Sequence, residues 1–235
     1  MNKWQEEQLH ALLSAKSEQE FFSAITRAVA QLGFEQCSFG MRLPLPISNP
    51  KEIIHSNYNP EWEMRYMRNN YARIDPTVVH ATQSIRPLIW SEELFSPCRE
   101  FWEEARAYDL NVGWAQASHS RYGVALLSLA RSHDALDKSE LEAHSLQMTW
   151  LAQLAHEGFT KLLLPTLLPE ASTLLTERET EVMRWTAEGK TSNEIGAIMN
   201  ISHSTVNFHV NNAVAKLGVT NKTAAAIKAV ALRLI

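Results

Sequence analysis

Residues 176–217 read TERETEVMRWTAEGKTSNEIGAIMNISHSTVNFHVNNAVAKL, and two matching helix-start signals lie within them. Thr176 precedes Glu179 by three positions, and Thr191 precedes Glu194 in the same way. Threonine and glutamate at this spacing form a capping box, because each side chain accepts a hydrogen bond from a backbone N–H that the helix start leaves free. The segment therefore predicts two helices that begin close together in the chain.

A turn and a third helix follow these two starts. The first helix is expected to end at about Ala187, ahead of Gly189, and the second at about Met199. Residues 200–201 then form a tight turn before Ser202, a favourable N-cap for the third helix. Short helices joined by a tight turn are typical of a helix-turn-helix, so this part of the chain is predicted to be an all-α module.

The predicted third helix has one apolar face and one polar face. At about 100° per residue, the side chains of one quadrant are apolar: Val206, Val210, Ala213 and Leu217. The opposite side carries Ser204, Asn207, Asn211 and Ala215. Because an asparagine amide can pair with the edge of adenine, this face suits base reading in DNA. A solvated polar face on a small helical domain would explain either asparagine equally well by itself.

Charge is distributed unevenly along the chain. The net charge is −4, but the segment after Gly189 holds five basic residues against one acidic residue. A small basic segment on an acidic body is typical of a nucleic-acid-binding module, although chance in a short window is the alternative. Lysines at the ends of helices are candidates for phosphate contacts. The predicted DNA-binding residues are Lys190, Thr191, Ser204, Thr205, Asn207, Asn211, Lys216, Asn221 and Lys222.

A domain boundary is predicted just before this module. Pro165 and Pro169 lack a backbone N–H and are expected to interrupt any continuing helix. The helix before them, at residues 137–160, has apolar side chains every three or four positions, which suits packing within its own domain or dimerisation. The predicted division is residues 1–164, a linker at 165–173 and residues 174–235.

The amino-terminal part mixes two sequence periods. Residues 37–42 alternate large apolar side chains with small or polar ones, and residues 124–130 are almost continuously apolar, so both are predicted strands. Helices are predicted before, between and after them, at residues 3–14, 18–32, 60–69, 97–108 and 137–160. The prediction is an α+β domain in which a sheet lies between helical layers.

The composition excludes several classes of protein. The chain has 235 residues, 45% hydrophobic and 20% charged, which suits packed domains rather than disorder. No apolar run approaches the roughly 18 residues of a membrane span, and the charged amino terminus is unlike a signal peptide. Two widely separated cysteines suit the cytoplasm. Since GxSxG, GxGxxG, P-loop and metal-binding histidine patterns are absent from the sequence, we expect no enzyme, metal site or cofactor.

Residues 58–90 combine aromatic side chains with a carboxylate. Trp62 and Tyr66 share one face of a predicted helix, and Asp75 precedes a proline as the N-cap of another. For each aromatic residue alone, ordinary core packing is the simpler interpretation, and N-capping by itself explains Asp75. Together, buried indole and phenol donors near a carboxylate need partners, which an apolar ligand with a polar head would supply.

These features resemble a known family. Residues 174–235 are similar to the four-helix DNA-binding domain of LuxR-type transcription factors, which place the third helix in the major groove and dimerise partly through the fourth. Residues 1–165 resemble the autoinducer-binding domain of quorum-sensing receptors of that type, most specifically in Trp-x3-Tyr, Asp-Pro-x-Val and Ile-Trp elements. The resemblance implies an antiparallel sheet between helical layers, a bound N-acyl homoserine lactone, a homodimer on promoter DNA, and RNA polymerase as a partner.

The resemblance also implies roles for individual side chains. Trp62 would donate its indole N–H to the lactone carbonyl, and Asp75 would accept the ligand's amide N–H. Tyr58 and Ser128 would donate to the acyl carbonyl, although Tyr58 is also explained as a tyrosine packed at the surface. The other implied residues are Tyr66, Trp90 and Phe101, which would pack around the head group, and Gly113, which would allow close backbone packing nearby.

Two questions stay open in the sequence. Glu63 stands where some members of the family carry an arginine that acts on a 3-oxo group. That substituent is therefore unimportant or is recognised elsewhere, for instance by Ser38 or Arg42. The alternative function is a LuxR-type regulator that responds to another small hydrophobic metabolite or to a partner protein.

Overall fold

The computed structural model describes residues 3–235, without the side chains of residues 170 and 171. Its chain divides into two compact units. The first is built from residues up to Leu43 together with Glu52–Leu162, and the second from Pro44–Lys51 together with Leu163–Ile235.

A five-stranded sheet organises the first unit. Along the chain the elements up to residue 167 are α1 (Lys3–Ser14), α2 (Glu18–Gln31), β1 (Gln36–Arg42), β2 (Glu52–Ser56), α3 (Pro60–Arg68), α4 (Pro76–Ala81), β3 (Leu88–Ile89), α5 (Glu92–Phe95), α6 (Arg99–Arg106), β4 (Val112–Ser120), β5 (Gly123–Arg131) and α7 (Lys138–Leu167). The strand order is β2-β1-β5-β4-β3, and every neighbouring pair is antiparallel. The expected α+β architecture around an antiparallel sheet is confirmed.

The two faces of the sheet are filled differently. Since successive side chains point to opposite faces, Ser38 and its register partner Ser128 share one face, while Phe39 and Leu127 share the other. On that second face, Phe39 stacks on Phe159 of α7 with ring centroids 4.4 Å apart. Helix packing therefore closes the apolar face, and the face with the two serines borders the cavity described below.

The sequence patterns do not predict β2, β3 or β4. Strand β4 lies between β5 and β3, and it is buried continuously from Gly113 to Ser118. A strand covered on both faces has no reason to alternate apolar and polar side chains, so its periodicity is absent. Strand β3 is only two residues long, and β2 is an edge strand of five. Strands this short have too few residues for the alternation of apolar and polar side chains to be recognised in the sequence.

Helix α7 corrects one expectation. Pro165 lies inside this helix, which continues to Leu167 instead of ending near residue 160. A proline lacks the N–H that would donate to the preceding turn, and the helix runs only two residues beyond it. The backbone N–H of Leu168 still donates to the carbonyl of Leu164 over 2.9 Å. The domain limits at residues 164 and 174 stay predictions.

The second unit contains the predicted helix-turn-helix. Its helices are α8 (Glu177–Ala187), α9 (Ser192–Met199), α10 (His203–Lys216) and α11 (Lys222–Ala231). Both predicted capping boxes are formed, at the starts of α8 and α9. Asn200 ends α9 in the left-handed conformation at φ 53°, and Ser202 caps α10. A Cβ on Gly196 would lie 2.8 Å from the Ile201 carbonyl oxygen, so glycine is what lets α9 and the turn approach so closely.

Candidate functional site

A cavity of about 920 Å³ lies in the first unit, between the serine-bearing face of the sheet and helices α3, α4 and α6. Its lining includes all eight residues predicted to bind a ligand: Ser38, Tyr58, Trp62, Tyr66, Asp75, Trp90, Phe101 and Ser128. These side chains come from parts of the chain up to 90 residues apart in the sequence. The fold therefore brings them together around one space.

Helix α3 positions the two aromatic residues at one end of the cavity. Its start is set by Asn59, whose side-chain oxygen accepts from the Glu61 N–H over 2.8 Å, and by proline at the first helical position. Trp62 and Tyr66 follow one turn apart, with ring centroids 5.9 Å apart in an edge-to-face arrangement. Trp62 is buried, whereas its neighbour Glu63 is half-buried and also lines the cavity.

Asp75 is both a helix cap and a cavity residue. Its Oδ1 accepts from the backbone N–H and the hydroxyl of Thr77, over 2.8 and 2.7 Å, and its Oδ2 accepts from the Tyr66 hydroxyl over 3.0 Å. Burial raises the pKa of Asp75, and these hydrogen bonds only partly oppose that shift. The N-cap interpretation is therefore correct, and it leaves the carboxylate at the cavity wall.

Three buried donors at the cavity have no acceptor among the described residues. They are the Tyr58 hydroxyl and the indole N–H groups of Trp90 and Trp102. Burial raises the pKa of Tyr58 well above its ordinary value, so this phenol stays a neutral donor. A buried donor without an acceptor costs about 1–3 kcal/mol, and a ligand with carbonyl oxygens would remove that cost. Trp102 was not among the predicted ligand-binding residues.

Close packing holds the aromatic wall in place. A Cβ on Gly113 would lie 2.2 Å from the Trp90 ring, so only glycine leaves room for that indole, as the sequence analysis predicted for this position. Trp102 stacks in parallel on Phe95 with centroids 4.2 Å apart. Packing against neighbouring residues therefore constrains the orientation of both indoles.

An ion pair fastens the helices that cover this end of the cavity. Arg65 of α3 donates to both carboxylate oxygens of Glu104 on α6, over 2.6 and 2.5 Å, and the Tyr71 hydroxyl donates to the same carboxylate. The hydrogen bond from Arg65 lowers the pKa of Glu104. The pairing tethers α3, which carries Trp62 and Tyr66, to α6, which carries Phe101 and Trp102.

In the second unit, the polar face of α10 lies in solvent. Ser204 and Asn211 are exposed, and the Asn211 amide has no hydrogen-bond partner within the described part of the chain. The opposite face, with Val206, Val210 and Ala213, is buried as predicted. The Asn211 amide is thus available to an external partner.

Several other predicted DNA-binding residues already have partners inside the unit. The Asn207 side-chain oxygen accepts from the Ser192 hydroxyl over 2.8 Å. Thr191 and Asn221 cap α9 and α11. The ammonium of Lys216 lies 2.7 Å from the buried Glu179 carboxylate. The remaining members of the set lie at or near the surface: Lys190, Thr205 and Lys222.

Sequence reasoning missed one residue of the α10 face. Phe208 is 61% exposed, and at about 100° per residue its side chain lies within roughly 60° of those of Ser204 and Asn211 around the helix. The sequence signal that could have found it is a large apolar residue on the otherwise polar face of the predicted helix. Among the described residues, no cluster of side chains suited to hold a metal ion occurs, and no helix is long and apolar enough to cross a membrane.

Comparison with known protein families matches both parts of the chain. Residues 17–159 match the autoinducer binding domain, and residues 173–229 match the bacterial regulatory proteins of the luxR family. The chain belongs to the LuxR family. Within this family, the transcriptional activator protein AnoR of Acinetobacter nosocomialis is 44% identical over 238 residues, covering 100% of both chains.

Solved structures of the LuxR family share the architecture. The crystal structure of Escherichia coli SdiA has a TM-score of 0.84 at 31% sequence identity and covers 99% of this chain and 98% of that chain. SdiA in complex with octanoyl-rac-glycerol has a TM-score of 0.80 at 30% identity, over 99% and 96% of the two chains. This LuxR-family protein is therefore a quorum-sensing transcriptional regulator with an autoinducer-binding domain and a DNA-binding helix-turn-helix domain.

Proposed function

We propose that this LuxR-family regulator binds an N-acyl homoserine lactone in the cavity of the first unit. The observation that carries the proposal is the set of buried, unpaired donors beside the Asp75 carboxylate in a largely apolar space. An acyl homoserine lactone has two carbonyl acceptors, one amide donor and an apolar tail. Its polar groups match the donors and the carboxylate, and its tail fills apolar volume.

Each polar group of the ligand has a proposed partner. Trp62 donates to the lactone carbonyl, while Tyr58 and Ser128 donate to the acyl carbonyl. Asp75 accepts the amide N–H, with Thr77 holding the carboxylate in position. A hydrogen bond to a charged group contributes about 1.5–3 kcal/mol, and each buried CH₂ of the tail adds about 0.8 kcal/mol.

The head group is enclosed by the remaining proposed ligand-binding residues. Tyr66, Trp90 and Phe101 pack against it, and Ser38 lies on the sheet face where substituents near the acyl carbonyl are expected. Trp102 joins this set because its indole N–H faces the same cavity without an acceptor.

Thermal unfolding with a graded series of lactones tests the proposal. Ligand at about 100 times its Kd stabilises the folded state by about 2.7 kcal/mol, which corresponds to a Tm increase of roughly 5–10 °C for a domain of this size. We expect the increase to peak at one chain length and to disappear in Asp75→Ala. Glu61→Ala, on the exposed side of the same helix as Trp62, serves as the matched control.

A second variant distinguishes loss of ligand binding from loss of folding when Asp75→Ala shows no increase in Tm. Asp75→Asn keeps an oxygen for the cap to Thr77, so it replaces the alanine variant if the latter does not fold. Folded, ligand-free protein that is not stabilised by any lactone would contradict the proposal.

A second ligand class is favoured by one relative. SdiA, with the same fold, has been crystallised in complex with octanoyl-rac-glycerol, which also joins an acyl chain to a small polar head. We therefore include 1-octanoyl glycerol in the same series. Stabilisation by the glycerol ester and by no lactone would assign the cavity to acyl esters.

For the second unit, we propose that a homodimer binds dyad-symmetric promoter DNA through α10 and recruits RNA polymerase. The protein acts in the cytoplasm, as a regulator rather than an enzyme. Ser204, Thr205, Asn207 and Asn211 face the bases, and Lys190, Thr191, Asn221, Lys222 and Lys216 lie toward the phosphates. Binding should weaken steeply with salt, because each phosphate contact releases counterions. Affinity independent of salt and sequence would contradict the assignment.

A further inference from the structure

Phe208 is the exposed aromatic residue of α10, with 61% of its surface open to solvent. At about 100° per residue, its direction lies within roughly 60° of those of Ser204, Asn211 and Ala215. Its ring contacts the adjacent His209 edge-on, with centroids 5.5 Å apart. The phenyl ring thus sits in the middle of the face that is proposed to read DNA.

The core of the unit does not account for this position. Val206, Val210 and Ala213 fill the inner face of α10 and are buried, whereas Phe208 points away from them. Leaving a phenylalanine mostly exposed forgoes much of the free energy that its burial would contribute. An exposed apolar ring on an otherwise polar helix face suits a contact that forms only when a partner binds.

The major groove offers one apolar target, the C5-methyl group of thymine. Asn211, three residues after Phe208, has an unpaired amide whose geometry matches the N6 and N7 edge of adenine. Residues three apart on a helix have Cβ atoms about 5–6 Å apart, and successive base pairs are about 3.4 Å apart. The two side chains therefore reach the same base pair or neighbouring ones, and an A·T pair presents both targets.

We propose that Phe208 packs against the C5-methyl group of a thymine in each half-site, within the A·T pair that Asn211 reads or the pair beside it. The inference rests on the proposed role of α10 as the DNA-reading helix. It adds an apolar contact that selects thymine at a position where hydrogen bonding alone would not specify the methyl group.

The test uses the full chain, with the stabilising lactone present where the thermal series identifies one. A duplex is first selected by this protein from a library of random base pairs. Each thymine of the selected duplex is then replaced by deoxyuridine, which removes only the methyl group and preserves base pairing. We expect one position in each half-site at which the replacement weakens binding about four-fold, and about 15-fold when both half-sites are changed.

Variants assign the effect to one side chain. Phe208→Ala should bind the thymine and deoxyuridine duplexes with equal affinity, whereas Phe208→Leu should retain most of the discrimination because it keeps an apolar contact. Ile198→Ala removes another exposed apolar side chain, from α9, and should leave the four-fold ratio unchanged. Since Phe208 is exposed, the unfolding temperature of the variants should match that of the wild type.

The outcomes distinguish this inference from the proposed function. If the protein selects no duplex, the DNA-binding assignment of α10 fails and this inference fails with it. If it selects a duplex but tolerates deoxyuridine at every position, only the thymine contact is overturned. Discrimination that persists in Phe208→Ala would give the methyl contact to another side chain and would also overturn the inference.

Discussion

The cavity and the DNA-reading helix are built in opposite ways. In the first unit, donors that line the cavity, such as the Trp90 indole and the Tyr58 hydroxyl, are buried and have no acceptor among the described residues. In the second unit, the buried Glu179 is fully engaged, while the unpaired amide of Asn211 lies in solvent. Unpaired polar groups are costly only where water cannot reach them. The first unit therefore offers unpaired polar groups inside a buried cavity, whereas the second offers them at its surface.

The largest difference between the units should appear on acidification. His156 is buried in the first unit, with its Nδ1 2.5 Å from the Ser118 hydroxyl and its Nε2 3.1 Å from the Ser120 hydroxyl. Burial and the nearby His119 lower the pKa of His156 to about 4. Between pH 6.5 and 4, His156 is therefore protonated in the unfolded chain but stays neutral in the folded one. The free energy of unfolding decreases as the pH falls through this range.

We expect the first unit to lose about 3 kcal/mol through this histidine across that range. Burial raises the pKa of Glu179 in the second unit, but the hydrogen bonds from Lys216 and Thr176 and the charge of Lys216 together outweigh burial and lower it, so the contribution of Glu179 to stability is lost only below about pH 4.5. Calorimetry at several pH values should show the transition of the first unit falling first. His156→Gln should flatten that dependence, and the exposed His10→Gln should not. Equal slopes in wild type and His156→Gln would contradict this account.

An intermediate effect is expected at Lys216. Its ammonium pairs with Glu179, which is buried and also accepts from the Thr176 N–H over 2.8 Å. Lys216→Ala leaves that carboxylate without its cation, and we expect the second unit to lose about 2 kcal/mol of unfolding free energy. DNA affinity should fall less than three-fold, a rough expectation for one displaced phosphate contact.

Lys222→Ala is the matched control for that variant. Lys222 is exposed at the start of α11, so its loss should leave the unfolding transition within about 0.5 kcal/mol. If Lys216→Ala weakens DNA binding strongly and leaves the free energy of unfolding unchanged, the main role of Lys216 is phosphate binding. Its ion pair with Glu179 then contributes little to the stability of the second unit.

The smallest effect concerns Asn211. Because the amide is exposed and unpaired, Asn211→Ala should not change unfolding beyond about 0.5 kcal/mol. It should weaken binding to the selected duplex about ten-fold, at the low end of what one bidentate base contact contributes. Fluorescence anisotropy measures the affinity, with Asn212→Ala as the neighbouring control. Unchanged affinity in Asn211→Ala would remove this residue from the reading face.

Local signals explain which elements are predictable. The capping boxes at Thr176 and Thr191 and the N-cap at Asp75 involve residues two or three positions apart, so they are visible in the sequence and they form in the structure. Strand β4 cannot be recognised in the sequence, because both of its faces are buried and its side chains therefore do not alternate between apolar and polar. The effect of Pro165 was misjudged, because the helix does not end before the proline but two residues after it.

The sequence by itself determined the helix-turn-helix and the α+β class of the first unit, because residue type, period and short-range capping carry that information. The ligand-binding candidates came from the resemblance of the sequence to the LuxR-type family. Only the tertiary structure decided which polar groups are left without partners. It pairs Lys216 with Glu179, leaves the Trp102 indole unpaired at the cavity and exposes Phe208 between polar neighbours. The physical reason is that hydrogen-bond satisfaction and solvent exposure depend on contacts between residues far apart in the chain, which no local pattern encodes.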